Sequence, residues 1–388
     1  MTSPRVLSIQ SHMVSGYCGN KAATFPLQLL GFDVDVMNTV NFSNHTGYPS
    51  WTGEKATGDQ LTKLYEGLQA NGLVEYTHLL TGYIGSAQNL AAVTEIIEDL
   101  RSYGDPFFVL DPVMGDDGQL YVQPDVIPLY KELIKYAKAI TPNQFEAEIL
   151  TDKKITNVKS CLEVIDILHD AGVENVVITS VSLLASDVVA AASASVFGSG
   201  SSGGSTCTTA NGTSLPLPLP LPSPSQDHDQ QEKTREDDPS MYCVCSSKSH
   251  DRSRVFAIEF PTYDGYFTGT GDLFSALLVA RLNEAIAIEE KEKEGSKEEE
   301  EQQMKNGGGG HGTSTALAQA CIKIVATMKA VVLKTFLEQK RIDRTQASSS
   351  SSSPSADVVK RCELRLIQGK NDIEQPDVRG VEAIELGR

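Results

Sequence analysis

Short apolar runs alternate with longer segments of helical spacing along most of the chain, and this alternation limits its fold more than any other feature. The first apolar runs are RVLSIQS at residues 5–11, FDVDVMN at 32–38 and HLLTG at 78–82. Segments with apolar residues at helical intervals separate them. This order is typical of a parallel sheet with helices on both faces, so we expect an α/β fold with a mostly parallel central sheet.

The same criteria extend the pattern to the end of the chain. Further strands are predicted at 107–112, 139–141, 175–180, 254–261 and 362–368. Helices are predicted at 19–30, 59–71, 86–102, 125–137, 143–150, 159–171, 271–285 and 315–339.

Three segments of biased composition lie between these elements, at about 190–240, 285–313 and 346–355. They are rich in Gly, Ser and Pro or dense in charge, so they bury little apolar surface. Long surface insertions add little loop entropy, and we interpret all three as insertions without a role in chemistry. The whole chain, 1–388, is then a single domain interrupted by three inserts.

The net charge of −18 does not by itself indicate a cationic partner. Half of the excess lies in two acidic segments, 227–238 and 289–301, where charge runs are typical of solvated chain. No basic stripe that would bind nucleic acid stands out. No apolar run approaches the ~20 residues of a membrane span, and no signal region opens the chain. We therefore expect no nucleic-acid or membrane partner, and a cytoplasmic protein that could also be present in the nucleus.

Polar residues fall at or just after the ends of five predicted strands. In an open parallel sheet the ligand lies beyond the carboxyl ends of the strands, so these side chains should meet at one place. The residues are Ser11, Thr81 with Tyr83, Asp111, Thr141 with Asn143, and Thr179 with Ser180.

The stretch FTGTGDLF, 267–274, is the first candidate for chemistry. Gly269 and Gly271 allow a tight turn, and Asp272 then begins a helix whose free N–H groups can bind an anion. The carboxylate could accept a proton while the amides stabilise a transferred phosphoryl group. By itself the motif is more typical of an Asp N-cap behind a glycine turn. A dinucleotide fingerprint is not supported, because Phe274 stands where its third glycine belongs.

Two acidic motifs are the next candidates. In TPNQFEAE, Asn143 and Glu146 share one face of a helix start, where such a pair can hold hydrated Mg²⁺ near phosphates. A helix N-terminus with a helpful acid in its first turn explains it equally well. In LDPVMGDDG, Asp111 and Asp116 suit a cation or phosphate-side site. A solvated turn is the alternative for Asp116 and is less convincing for Asp111, which ends an apolar run.

The stretch NFSNHTGYPSWTG, 41–53, is dense in aromatic and hydroxyl side chains and contains the single Trp of the chain. It could cover and hydrogen-bond a small aromatic ligand. A loop that packs its own side chains is the alternative.

Taken together, these motifs are more specific than any one of them. SIQSHMVSGYCGNKAATFPLQLLGFDVDVMNTVNFSNHTGY, LTGY, DPVMGD, ITPNQFEAE, VITS and GTGDLF occur in the order seen in pyridoxal kinases of the ribokinase-like superfamily. The chain resembles that family over nearly all its length outside the three inserts. The resemblance implies a three-layer αβα sandwich and ATP-dependent phosphorylation of the 5′-hydroxyl of pyridoxal, pyridoxine and pyridoxamine.

On the catalytic side, the resemblance implies that Asp272 is the general base. Gly269, Thr270 and Gly271 match the anion hole of the family. Because phosphoryl transfer needs mainly positioning and charge neutralisation from a protein, these roles agree with the physics of the motif.

On the substrate side, Ser11 and Thr46 match residues that hydrogen-bond the pyridine substituents, and Tyr83 matches an aromatic that packs on the ring. The resemblance also implies a set of ATP contacts: Asp116, Asn143, Glu146, Thr179, Ser180, Thr270, Gly271 and, on the adenine side, Tyr263.

The resemblance further implies Mg²⁺ supported by Asn143 and Glu146, and a monovalent cation, K⁺, near Asp111 and Thr141. It also implies a homodimer. Two alternatives stay open: a hydroxymethylpyrimidine kinase of the same superfamily, and a vitamin- or phosphate-binding protein without catalysis. The segment 181–252 departs from the family pattern, which usually has a short strand connection there.

Overall fold

The computed structural model describes residues 3–197, 239–249, 252–300, 315–346 and 356–387. Within these ranges the chain forms one ten-stranded sheet and a separate two-stranded hairpin, β6 Gly115–Asp116 with β7 Gln119–Leu120. The strands of the large sheet are β1 Arg5–Met13, β2 Asp33–Phe42, β3 Gly53–Lys55, β4 His78–Thr81, β5 Phe107–Leu110, β8 Ala139–Ile140, β9 Asn175–Leu184, β10 Pro239–Ser249, β11 Arg252–Phe260 and β12 Ile384–Leu386.

The sheet order is β12-β11-β10-β9-β8-β5-β4-β1-β2-β3. The six strands from β9 to β2 in this order pair in parallel, and the strands at both edges add on antiparallel. The expectation of a mostly parallel sheet is therefore confirmed.

Eight helices in the described part of the chain correspond to predicted segments, whereas those at 185–197, 356–361 and 370–374 were not predicted. In chain order the helices are α1 Asn20–Leu29, α2 Gly58–Ala70, α3 Ala87–Tyr103, α4 Val126–Leu133, α5 Gln144–Thr151, α6 Val158–Asp170, α7 Ala185–Phe197, α8 Thr270–Glu300, α9 Ala316–Gln346, α10 Ala356–Arg361 and α11 Lys370–Glu374. Side-chain caps determine where several of them begin. At α2, for example, the Thr57 hydroxyl accepts from the Gln60 N–H, and the Gln60 side chain accepts from the Thr57 N–H.

The sheet separates two apolar cores, because successive strand residues point to opposite faces. Leu7 and Ile9 of β1 pack in a core with α2 to α6, whereas Val6 packs in the other core with α1, α8 and α9. Helices thus cover both faces, and the three-layer αβα arrangement is confirmed.

The prediction of a closing strand at 362–368 is wrong. In this segment Glu363 makes an isolated bridge with Thr268, and the chain then turns toward α11. Leu364 and Leu366 gave the apolar spacing of a strand, but they insert into the core shared with α8 and α9. The strand nearest the end of the chain is β12.

The structure also changes the predicted inserts where it describes them. Residues 190–197 belong to α7 and residues 285–300 continue α8, so these parts are helical. Strand β10, which pairs antiparallel with β9 and β11, begins at Pro239, inside the predicted first insert. Most of the three inserts lies outside the described residues, and the single-domain assignment stays a prediction.

Helix α9 also corrects an expectation about membrane spans. Its segment Ala316–Ile342 is long and apolar enough to cross a membrane by length and composition, although no apolar run of that length was predicted from the sequence. Half of its apolar window is buried inside the fold, where Leu317, Ile324 and Val331 contribute to the core. These contacts are those of a core helix.

Candidate active site

The carboxyl ends of the parallel strands meet along one edge of the sheet. Strand pairing forms a continuous line of partners: Ile9, Thr81, Leu110, Ile140 and Val176. Ser11, Asp111, Thr141 and Thr179 lie one to three residues beyond that line. The structure therefore brings the predicted polar strand ends together. Thr179 and Ser180 do not end their strand as predicted, because β9 continues to Leu184 beside β10.

The glycine loop before α8 passes very close to the loop after β1. Gly269 has a φ of +85°, and a Cβ built there would lie 2.1 Å from the backbone oxygen of Tyr17. Only glycine fits this position without moving backbone. The helix begins at the next residue, Thr270, so the free N–H groups of its first turn lie directly after the glycine turn.

Asp272 lies in that first turn and is 8% exposed. Its Oδ2 accepts a hydrogen bond of 2.8 Å from the Gly19 N–H, which fixes the carboxylate against the loop after β1. Burial raises the pKa of Asp272, while the Gly19 N–H and the Cys18 thiol act in the opposite direction. The carboxylate is therefore a stronger base than a solvated Asp.

Cys18 is a contact of Asp272 that sequence reasoning missed. Its thiol is hydrogen-bonded to Asp272 and to Ser11, and burial, followed by the Asp272 charge, raises the pKa of the thiol well above its usual value. A protonated thiol can donate to the carboxylate. Cys18 gave no signal because nothing in SGYCGNK indicates that the chain folds back onto a helix 250 residues later.

A second buried carboxylate, Asp111, lies at the end of β5. Burial raises its pKa well above the usual value, and the charges of Glu146 and Asp272 add to this effect. The hydroxyls of Ser275 and Thr141 hydrogen-bond it. Its Oδ2, however, has no hydrogen-bond partner in the described part of the chain. A buried carboxylate oxygen in this state favours a cation as its partner.

Asn143 and Glu146 form a capping box at the start of α5. The Asn143 Oδ1 accepts from the Glu146 N–H at 2.9 Å, and the Glu146 Oε2 accepts from the Asn143 N–H at 3.0 Å. The Glu146 Oε1 also accepts from the Met114 N–H at 2.9 Å. The helix-start interpretation of this pair is thus correct. The pair also holds the loop after β5. Because its side-chain oxygens already accept hydrogen bonds from the backbone, the pair would support a metal ion through water.

The hairpin β6–β7 carries Asp116 at the outer rim of the site. Asp116 is exposed, and its Oδ1 accepts from the Asp117 N–H at 2.9 Å. Asp117 has a φ of +47° and Gly118 a φ of +77°, as in the tight turn of a two-residue hairpin. The solvated turn, which was the alternative interpretation of Asp116, is present, and it lies next to the capping box.

A cavity of about 250 Å³ opens between the glycine loop and the antiparallel edge of the sheet. Of the predicted nucleotide residues, Thr179, Ser180, Tyr263, Thr270 and Gly271 line it. Most other lining residues are apolar and were missed by sequence reasoning: Met241, Phe260, Pro261, Phe267, Phe274, Val325, Met328 and Val332, with Lys329 as a cation. Met241 belongs to β10, and the unpredicted strand therefore supplies part of this wall.

Tyr263 has a defined place in this cavity. Its ring packs on Phe336 of α9 with 5.3 Å between the ring centroids and 36° between the planes. A flat aromatic wall of this kind suits a planar heterocycle. Thr262 lines the same cavity, so the whole PTY segment contributes.

The predicted substrate residues lie around the loop after β2. Ser11 is buried beside the close approach of Gly19 to β1, and Tyr83 is half-buried between two apolar clusters. Thr46, in contrast, is exposed. Its neighbour His45 is buried, its Nδ1 accepts from the Gly47 N–H at 3.2 Å, and its Nε2 has no partner within the described ranges. His45 is a candidate ligand donor that sequence reasoning missed.

The described residues contain no group of three or more metal-ligating side chains that could hold an ion by themselves. Asp111 nevertheless fits a cation, because its buried Oδ2 lacks a partner and lies among other carboxylates. A metal at this place would need ligands that the protein does not supply, such as water and phosphate oxygens.

Comparison with known proteins gives consistent matches. A family model described as phosphomethylpyrimidine kinase matches residues 69–213. Pyridoxal kinase from Bos taurus is 36% identical over 383 residues, which cover 96% of this chain and 96% of the relative. Pyridoxal kinase from Arabidopsis thaliana is 36% identical over 376 residues, covering 96% of this chain and 92% of the relative.

Solved structures show the same likeness. Pyridoxal kinase from Leishmania donovani in complex with ADP and pyridoxamine superposes with a TM-score of 0.67 at 27% identity, covering 98% of each chain. Pyridoxal kinase from Trypanosoma brucei superposes with a TM-score of 0.64 at 25% identity, covering 100% of each chain.

Proposed function

The chain belongs to the pyridoxal kinase family, and we propose how its residues carry out the ATP-dependent phosphorylation of pyridoxal and related vitamers. Asp272 acts as general base, and the glycine loop 269–271 with the start of α8 stabilises the transferred phosphoryl group. The observation that carries this proposal is the position of Asp272. It is a buried carboxylate with a raised pKa in the first turn of a helix, directly after a glycine turn.

The chemistry proceeds by in-line displacement. The O–H bond of the 5′-hydroxymethyl group breaks and its proton moves to the Asp272 carboxylate. The oxygen forms a bond to the γ-phosphorus of ATP as the bond from that phosphorus to the β,γ-bridging oxygen breaks. The products are the 5′-phosphate of the vitamer and ADP. This reaction requires two groups from the protein. One is a general base for the proton of the hydroxyl, and the other is an anion site for the charge that develops on the phosphoryl group.

ATP binds in the cavity between the glycine loop and β10–β11. We place the adenine against Tyr263 and the apolar wall, and the ribose and phosphates toward Thr179, Ser180, Thr270 and Gly271. Asp116 and Asn143 lie on the phosphate side. This arrangement leads the γ-phosphate toward Asp272, which lies in the first turn of the same helix.

Magnesium would neutralise charge on the phosphates when it is bound with ATP. Asp111 and the loop held by Glu146 would support Mg²⁺ through water, and Asp111 with Thr141 would support a monovalent cation such as K⁺. The protein's own contribution is Asp111, whose pKa is raised by burial and by the charges of Glu146 and Asp272, so that a bound cation would favour its ionised form.

The vitamer ring occupies the space beside Ser11, Tyr83, His45 and Thr46. A coupled assay with Mg-ATP tests this assignment, with pyridoxal, pyridoxine and pyridoxamine as substrates. We expect turnover of these vitamers above that of hydroxymethylpyrimidine. A superfamily relative specific for hydroxymethylpyrimidine is the second candidate, because the phosphomethylpyrimidine kinase model matches residues 69–213. Turnover of hydroxymethylpyrimidine without turnover of any B6 vitamer would establish that candidate instead.

We further propose a homodimer in the cytoplasm. Light scattering during size-exclusion chromatography should give twice the 41.9 kDa mass of the chain, and a monomer mass would contradict the dimer. A fluorescent fusion should distribute through the cytoplasm, and exclusive accumulation in a membrane or organelle would contradict the location.

A further inference from the structure

The loop after β2 is joined to the C-terminal segment by one short hydrogen bond. We call residues 43–52 the flap. The hydroxyl of Tyr48, in the flap, donates to the Oε1 of Glu363 at 2.6 Å, although the two residues are 315 positions apart. A hydrogen bond this short to a carboxylate acceptor is among the stronger hydrogen bonds in proteins.

Glu363 lies where three loops of the site meet. It pairs with Thr268 in an isolated bridge, just before the glycine loop. Its carboxylate also packs on Gly16 in the loop after β1, where an added Cβ would lie 2.5 Å from the Glu363 Oε1. Glu363 thus contacts the flap and the loop after β1 through its carboxylate, and the segment before the glycine loop through its backbone.

Contacts within the flap connect its residues, so the hydrogen bond at Tyr48 affects the whole flap. The Asn44 side chain donates to the backbone oxygens of His45 and Ser50, at 3.2 and 3.0 Å. The ring of Tyr48 packs edge-on against His45 with 4.8 Å between centroids. His45 carries the buried Nε2 that lacks a partner in the described part of the chain, so Tyr48 and the Gly47 N–H together orient this donor.

We propose that the Tyr48–Glu363 hydrogen bond is a latch that holds the flap closed over the vitamer pocket. Tyr48 and Glu363 are positioning residues, since they act through His45 and the flap rather than on the reacting atoms. The inference rests on the proposed function for the identity of the ligand, but the latch itself is a property of the free protein.

The consequence is a selective effect on vitamer binding. Without the latch the flap samples open positions, and the vitamer must close it at the expense of its own binding energy. Because the pair is only partly buried, we expect a rise in the KM for pyridoxal of about 3- to 10-fold. The KM for ATP should change less than about 2-fold, because the adenine cavity lies on the other side of the glycine loop.

Three single variants and the Tyr48→Phe/Glu363→Ala double variant test the latch. Tyr48→Phe and Glu363→Ala remove the donor and the acceptor, whereas Glu363→Gln keeps an oxygen that can accept from Tyr48. Tyr65→Phe is the matched control, since the Tyr65 hydroxyl also donates to a carboxylate, Asp99, at 2.6 Å, but between α2 and α3.

Trp51 provides a readout that does not depend on activity. It is the single Trp of the chain, lies in the flap, is 45% exposed and packs on Phe42 with 4.5 Å between centroids. Acrylamide quenching of its fluorescence therefore reports flap opening. We expect stronger quenching in Tyr48→Phe and Glu363→Ala, near wild-type quenching in Glu363→Gln, and no change in Tyr65→Phe.

The combined results decide the proposal. Steeper quenching together with a raised pyridoxal KM in both truncated variants, partial or full rescue by Glu363→Gln, and a double variant no worse than either single one support the latch. Unchanged quenching in both Tyr48→Phe and Glu363→Ala overturns it. If the wild-type protein phosphorylates no B6 vitamer, the proposed function fails, while the Trp51 quenching still decides the latch.

Discussion

The two halves of the site differ in how their contacts are distributed. Around Asp272 there are few groups, and the two that hydrogen-bond its carboxylate, the Gly19 N–H and the Cys18 thiol, are directional. The nucleotide cavity is lined mainly by apolar side chains that surround a ligand without fixing individual atoms. The proposed function of Asp272 therefore depends on single hydrogen-bonding groups, whereas ligand binding in the cavity depends on many apolar contacts together.

This difference implies two kinds of mutational response. Loss of one directional group next to the reacting atoms should lower kcat by orders of magnitude. Loss of one wall residue should change the KM for ATP by a modest factor, because the remaining walls still bury the adenine.

Asp272→Asn should have the largest effect. The amide keeps the size of the side chain and an oxygen for the Gly19 N–H, but it cannot accept the substrate proton. We expect kcat to fall by about 10²- to 10⁴-fold, with pyridoxal binding still measurable by calorimetry. A loss below about 5-fold would remove Asp272 from the role of base.

Gly269→Ala should come next. The new Cβ would meet the backbone oxygen of Tyr17 at 2.1 Å, at a φ that L-residues rarely adopt, so the loop must move. A displacement of about 1 Å near the reacting atoms slows turnover by about 10²-fold. Gly104→Ala, at a position with nothing within 4 Å of the added Cβ, is the control and should keep wild-type kcat. Normal turnover of Gly269→Ala would show that the loop does not form the anion site.

Tyr263→Ala should have a graded effect. It removes the ring that packs on Phe336 and opens one wall of the cavity. We expect the KM for ATP to rise about 3- to 10-fold with kcat nearly unchanged. Tyr103→Ala, at an exposed position in α3, should change neither constant. If Tyr263→Ala instead slowed turnover by about two orders of magnitude, the division between the two halves would be wrong.

The smallest effect that we predict is that of Asp111→Asn on the thermal stability of the free protein. Burial and neighbouring acids raise the pKa of Asp111, so the stability of the fold decreases as the pH rises from the ordinary pKa of an Asp through the raised one. Removing the ionisable group should raise Tm at pH 8 without Mg²⁺ by about 2–4 °C. It should also reduce the further rise on adding Mg²⁺. A lower Tm in the variant, or an undiminished Mg²⁺ effect, would contradict the assignment of Asp111 to a cation.

The sequence predicted the parts of this site that follow from local pattern. The polar strand ends, the capping box at Asn143 and the glycine turn before Asp272 each depend on a few consecutive residues. They were therefore readable from spacing and turn chemistry. The αβα architecture follows from the same alternation of apolar runs.

The contacts that escaped prediction are those between distant segments. Cys18 reaches Asp272, Tyr48 reaches Glu363, and Met241 lines the cavity from a strand hidden beside a low-complexity insert. None of these pairings has a local signal, because tertiary packing alone brings the partners together. The strand prediction at 362–368 was wrong for the same reason. Leu364 and Leu366 have the alternating spacing of a strand, but tertiary packing buries both in a core lined by helices.

The pH dependence of the pyridoxal phosphorylation rate tests the central claim most directly. Burial raises the pKa of Asp272, and the base works only when ionised, so the rate must fall as the pH decreases through that raised pKa. Single-turnover rates with saturating Mg-ATP should show this decrease at low pH, with an apparent pKa above the ordinary Asp pKa of 3.8. We call this decrease the acid limb. Asp272→Asn should show a low rate without that limb. The same limb in Asp272→Asn as in the wild-type protein would contradict the account.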